Sequence, residues 1–251
     1  MLGSMIMMAT FCDTPLTGVP GEVVCEGQYP HHLQGIAGDG VDTLYWSFTT
    51  VLVKTDLQGK VLASVTVPTH HGDLCLAGDN LYVAWSNKFN APGADSQVYI
   101  YAAGDLSLLE IVPVPEVTFG AGGIDHREGH FFIIGGLPEG YEENYVYEYD
   151  HQLQHLQTHV LDSGYTRLGI QTACFHDNYW WFGCYRVEGN KGLLKADSDL
   201  GLVGIYDISP SIGLVGWGEN CLLMAEHFGE KWQAKAVPMV PDDKLGLKAA
   251  R

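Results

Sequence analysis

The chain has 251 residues, 46% of them hydrophobic and 17% charged, the composition of a globular domain rather than a disordered one. Thirty Asp and Glu against 13 Lys and Arg give a formal net charge of −17, which argues against nucleic acid or an anionic membrane surface as partner, because both need clustered bases. No run is long enough to insert into a membrane as a helix, and no P-loop, dinucleotide fingerprint or Gly-x-Ser-x-Gly element is present.

In chain order, residues 1–12 are apolar but short and lack a basic start. They read as the remnant of a clipped signal peptide, which would make the protein extracytoplasmic or secreted, or as a disordered start. Residues 13–30 carry Pro15, Pro20 and Pro30 and one strand-like run at 22–25. A repeat then begins. Residues 30–39 read Pro-His-His-Leu-Gln-Gly-Ile-Ala-Gly-Asp, and residues 68–79 read Pro-Thr-His-His-Gly-Asp-Leu-Cys-Leu-Ala-Gly-Asp. Each copy places a histidine pair before a short apolar run, a Gly-Asp turn and an aromatic strand.

Alignment on that turn yields five units of short runs rich in Val, Ile, Tyr, Phe and Trp. The predicted strands are 33–37, 43–49, 51–55 and 61–67 in the first unit, and 73–77, 80–85, 97–102 and 108–114 in the second. The third has 122–126, 130–135, 145–149 and 153–161. The fourth has 170–175, 179–185, 192–196 and 201–208. The fifth has only 212–217, 221–226 and 231–237. Gly, Asp or Asn separates the runs, as tight hairpins require. Four strands per unit at a period near 45, without helical patterns, predict an all-β fold, a β-propeller of four-stranded antiparallel blades.

The fifth unit lacks a fourth strand and residues 22–25 precede the first, so the N-terminal strand is expected to close the ring in the last blade, removing two open sheet edges. The expected layout is a single domain: closing strand 13–30, blades at 31–68, 69–117, 118–163, 164–210 and 211–240, and a tail at 241–251 packed outside or frayed. A sixth, partial blade from residues 1–30 is the alternative. Cys12, Cys25, Cys75, Cys174, Cys184 and Cys221 form no CxxC pair. They read as buried thiols; Cys174 and Cys184 could face each other across one hairpin, and a free buried pair is the favoured reading for them.

In a propeller the first strand of each blade lines the central channel. The repeat therefore gathers His31, His32 and Gln34 from unit one, His70, His71 and Asp73 from unit two, and Arg167 and Gln171 from unit four around one mouth, with Asp125 and His126 at the far end. Imidazole binds divalent transition metals and works as acid or base near neutral pH. His31, His32, His70 and His71 are thus candidate ligands for a divalent ion, zinc, manganese or calcium. His71, Asp73, His32 and Arg167 are candidate catalytic groups, and Gln34 and Gln171 candidate substrate contacts. The same side chains also suit strand ends that bond only backbone.

The unit pattern resembles the broad YncE-like and NHL-like propellers over nearly the whole chain, which implies fold and not activity. A narrower likeness is to plant and bacterial five-bladed glutaminyl cyclases. That family opens its first blade with a Phe-Thr-Gln-Gly-Leu-like motif, matched by residues 32–36, His-Leu-Gln-Gly-Ile. It opens its second with a Phe-Gly-Glu-Gly-Leu-like motif holding an acid, matched by residues 71–75, His-Gly-Asp-Leu-Cys. By that resemblance Asp73 takes the acid role, although Asp replaces Glu, the second Gly is missing and histidines stand at the aromatic positions. Three functions follow as expectations. One is a hydrolase or lyase acting on a carbohydrate or other small polar molecule at the channel mouth, with or without a metal. Another is a non-catalytic propeller holding a small-molecule, glycan or protein ligand. The third is cyclase-like aminoacyl transfer.

Overall fold

The computed structural model describes residues 18–186, 192–229 and 231–250. The apolar start at residues 1–12 lies outside them. β1 is Val23–Val24. The first blade follows as β2 Leu33–Gly38, β3 Thr43–Phe48, β4 Val51–Asp56 and β5 Val61–Thr66. The second is β6 His71–Ala77, β7 Asn80–Asn87, β8 Asp95–Ala102 and β9 Leu108–Pro113; the third is β10 Ala121–Arg127, β11 His130–Gly135, β12 Asn144–Tyr149 and β13 His155–Leu161. The fourth is β14 Ile170–His176, β15 Tyr179–Cys184, β16 Leu193–Asp197 and β17 Leu202–Tyr206. The fifth is β18 Leu214–Gly216, β19 Leu222–Phe228, β20 Gln233–Asp242 and β21 Gly246–Ala249.

These strands form five antiparallel sheets, and the inner strands β2, β6, β10, β14 and β18 pack in a ring that returns to β2. The fold is a five-bladed β-propeller. β1 pairs with β20 through Val23↔Ala236 and Val24↔Lys235, so the N-terminal strand closes the last blade. The tail departs from expectation. β20 continues to Asp242, and β21 folds back on it from Met239↔Ala249 to Asp242↔Gly246. One edge of β20 is therefore covered by two short strands from opposite ends of the chain. Leu247 at 1% exposure anchors the second of them.

The core is five seams between neighbouring blades. Leu33, Trp46 and Phe48 meet Trp217, Leu223 and Ala234 where blade 1 joins blade 5. Similar apolar clusters fill the other four seams. This arrangement explains two burial patterns. Inner strands such as β14, packed on both faces, are nearly continuously buried, whereas β5 and β17 alternate and present every second side chain to water. Tyr179-Trp180-Trp181-Phe182 is seam packing, with the last three rings buried. Cys174 lies opposite Trp181, and Cys184 lies opposite Ile170, so the two cysteines do not face each other.

The recurring aspartates between third and fourth strands are structural. Asp56 Oδ1 accepts from the backbone N–H groups of Gln58 and Lys60, Asp150 Oδ1 from Gln152 and Gln154, and Asp197 Oδ1 from Asp199 and Gly201. Each carboxylate satisfies donors that the turn leaves without a ladder partner.

Candidate functional site at the channel mouth

In four blades the inner strand carries a one-residue bulge near its start. The register shifts between Leu33 and Gly35, His71 and Leu74, Ala121 and Gly123, and Ile170 and Thr172. A bulge leaves one residue outside the ladder and re-aims it. Here the re-aimed residues are Gln34, Gly72, Gly122 and Gln171. All four line one pocket of about 140 Å³ at the mouth, with His70, Ser86, Phe89, Leu168 and Tyr185. Gln171 is buried and its amide Nε2 donates to Leu168 O at 2.7 Å, which fixes the amide plane.

His70 stands at the rim, exposed, with φ at 71°. A non-glycine residue in that left-handed region carries strain of about 1–3 kcal/mol, a conformation His70 shares with turn residues such as Glu128, Asp177 and Asn220. Burial raises the pKa of the Tyr185 phenol, and the Arg167 guanidinium acts against that rise. Arg167 is exposed and precedes Leu168, a residue of the pocket wall. Of the residues expected at the mouth, Gln34, His70 and Gln171 line the pocket there, and Arg167 adjoins it.

The others are elsewhere. His71 is fully buried inside blade 2. Its Nδ1 lies 2.8 Å from Pro68 O and its Nε2 2.7 Å from the Tyr101 hydroxyl. A carbonyl only accepts, so Nδ1 carries the proton and Nε2 accepts from the tyrosine. Both ring nitrogens are occupied, and burial pushes the imidazole down to about 4. His32 packs against His227 and Trp232, two residues that line a cleft of about 770 Å³ between blade 5 and the segment entering blade 1. His227 Nε2 there accepts from the Leu33 N–H at 2.9 Å. Burial lowers the pKa of both these histidines. His31 is exposed. The four histidines expected to share a metal do not converge: among the described residues, the grouping of three metal-capable side chains is Cys75, Asp125 and His126.

Asp73 lies on the axis just below the mouth, 1% exposed. Gly72 and Asp73 together oppose Ala84 alone, since His71 pairs Trp85 and Leu74 pairs Val83. Gly72 is the residue equivalent to Gln34, and Asp73 is equivalent to Gly35. The strands of blades 1 and 2 touch at this level. A Cβ on Gly35 would stand 2.5 Å from Asp73 Cα, so only glycine fits. Burial raises the Asp73 carboxyl well above the usual carboxylate range, against the hydrogen bond it accepts from Ala173 N. The carboxyl is a plug between the mouth and the lower chamber, not a group presented to the mouth pocket.

Two features lie outside the residues expected at the mouth. Cys75 and Cys174 share the ring position of Asp125, three residues after each bulge, and the alignment already carried that signal. The Trp232 cleft depends on a loop of blade 5 meeting the entry to blade 1, and no local pattern marks it.

No protein-family model matches the chain, and no curated protein matches it in sequence. Solved structures are similar in fold. A Bacteroides caccae protein of unknown function aligns at 12% identity and TM-score 0.54, covering 90% of this chain and 92% of that one. Kuenenia stuttgartiensis hydrazine synthase aligns at 14% identity and TM-score 0.50, covering 95% of this chain and 60% of that one. At such identities the likeness extends to the propeller alone.

Proposed function

We propose that this propeller is a binding module for a small polar ligand of the carbohydrate class, held at the channel mouth. The observation that carries the reading is the repeated bulge, which turns Gln34 and Gln171 from different blades into one pocket. Primary amides match the paired donor and acceptor character of vicinal hydroxyls. Phe89 supplies an apolar face, and Ser86, His70 and Tyr185 supply further polar contacts. A volume of about 140 Å³ suits one sugar ring or less. The test is calorimetric titration of the untagged protein with a panel of neutral and acidic mono- and disaccharides. The expected result is saturable binding of at least one sugar, weakened about tenfold or more in Gln34→Ala and in Gln171→Ala, one to two lost hydrogen bonds each. Absence of saturable binding, or binding indifferent to both substitutions, removes the reading.

A second reading makes the same pocket a hydrolase or lyase site with His70 as acid or base. Its support is an imidazole, His70, in the pocket lining beside Gln34 and Gln171. It predicts turnover of a bound saccharide that is lost in His70→Ala while Gln34 and Gln171 still bind. The cyclase reading lacks comparable support, because Gly72 and not Asp73 stands opposite Gln34 in the ring.

A further inference from the structure

The far end of the channel carries a second set of chemistry that the mouth does not use. The lower chamber, about 170 Å³, is walled by all five inner strands. Cys75 on β6 and Asp125 and His126 on β10 turn into it, and one ligand-capable atom from each lies within 4.8 Å of the others. Cys174, on β14, lines the same chamber. We propose that this chamber is a binding site for a soft divalent metal ion, zinc by its donor set, bridging blades 2 and 3.

Three observations converge on that reading. The first is donor chemistry. Thiolate, imidazole and carboxylate together match zinc and reject the all-oxygen preference of calcium and magnesium. The second is preorganisation. Asp125 Oδ1 accepts from its neighbour's backbone N–H at 2.8 Å and Oδ2 accepts from Phe175 N at 2.6 Å, so the carboxylate is fixed in position with a lone pair left on each oxygen. The third is an unmet need. His126 Nδ1 is buried and makes no hydrogen bond of normal length: Asp125 Oδ1, the group that raises the imidazole pKa, stands 3.6 Å away. Buried orphan nitrogens are costly unless a proton acceptor or a cation meets them.

Tetrahedral zinc at its usual 2.0–2.3 Å bond lengths sets ligand atoms roughly 3.3–3.7 Å apart, so side-chain rotation of about 1 Å closes the site. A water completes the fourth position, because the Cys174 sulfur lies outside the grouping of Cys75, Asp125 and His126. Binding releases the Cys75 thiol proton to solvent and forms the metal–sulfur bond, with no change of oxidation state. Burial and the nearby Asp125 carboxylate both hold the Cys75 and Cys174 thiols protonated, and a cation in the chamber reverses that balance.

The inference is independent of what the mouth binds, and its test uses the metals alone. The full chain, untagged and stripped with chelator, is titrated with Zn²⁺ against a competing chromophoric chelator and separately with Co²⁺. One equivalent of zinc is expected, together with a thiolate-to-cobalt charge-transfer band. Cys75→Ser removes the band, and His126→Ala weakens zinc binding about tenfold or more while keeping it. If Cys75→Ser does not fold, alkylation of the wild-type protein with peptide mapping replaces it, and Zn²⁺ slows modification of Cys75. Substoichiometric zinc, a cobalt spectrum without the charge-transfer band, or Cys75 alkylation unaffected by Zn²⁺ overturns the proposal.

Discussion

Asp73 Oδ2 accepts a hydrogen bond from the backbone N–H of Ala173 at 3.0 Å, joining blade 2 to blade 4 across the channel between residues 100 positions apart. This single contact spans the ring and divides the channel into a mouth and a lower chamber. Asp73 Oδ1 is buried without a partner. The raised carboxyl pKa has a defined sign: the folded state prefers the protonated acid, so stability drawn from it is present at low pH and lost as pH rises through the folded value.

Asp73→Asn is therefore expected to fold and to be as stable as the parent at neutral pH or more so, because the amide oxygen still accepts from Ala173 and no charge is buried. Asp73→Ala leaves that N–H unpaired and costs about 1–3 kcal/mol. Urea unfolding midpoints of the two variants measure the difference. A large loss in Asp73→Asn would falsify the neutral-carboxyl account.

His71 provides the opposite pH dependence. Its pKa is held at about 4 against an ordinary 6.5. The unfolded chain takes up a proton first, so stability is complete at pH 7 and falls between about pH 6.5 and pH 4. The loss amounts to about 3 kcal/mol. His32 and His227 are shifted in the same direction, so the contribution of His71 is read by difference. Urea unfolding of wild type and His71→Phe at pH 7, 5.5 and 4.5 should give a gap that narrows on acidification. Parallel pH profiles would count against the assigned tautomer and hydrogen bonds.

Ring closure predicts an alternation within two residues. Val23 is 1% exposed in the seam between blades 5 and 1, whereas Val24 is 40% exposed. Val23→Asp buries a charge in an apolar seam and should cost on the order of 3 kcal/mol or more, while Val24→Asp should stay within about 0.5 kcal/mol. Thermal melts of the two variants settle which face of β1 closes the ring. Equal effects would mean that β1 does not pair with β20 in this register.

Strand order and turns were legible because they are local. Period-two apolar runs, Gly-Asp turns and a repeat near 45 residues put every expected strand boundary within two residues of the structure except the end of β20, expected at 237 and found at Asp242; β21 at Gly246–Ala249 was not expected. Pro238 and Pro241 sit in β20, where a ladder donor is missing, and proline argues locally against a strand. The continuation survives because β21 pairs along that half of β20.

The site was legible by halves. Equivalent repeat positions were enough to bring Gln34, Gln171 and His70 to one mouth, with Arg167 adjoining, since a ring places equivalent residues at equal height. The fate of the paired histidines was not. In each pair the first residue is exposed, but His71 turns into blade 2 to meet Tyr101, and His32 turns toward blade 5 to meet His227 and Trp232. Those partners lie 30 and about 200 residues away in the chain.

What the sequence alone determined is the repeating unit, the number of blades, the closing strand and, to within a residue, the height of inner-strand residues along the channel, all set by short-range periodicity and turn chemistry. Which way each side chain points at that height was decided by tertiary structure. A one-residue bulge sends Gln34 and Gln171 into the mouth, the adjoining residue Asp73 becomes a buried plug, and Cys75 and Asp125 meet in the chamber below. Bulge position, seam packing and close approach of backbones at Gly35 are properties of neighbouring blades in contact, and no single strand encodes them.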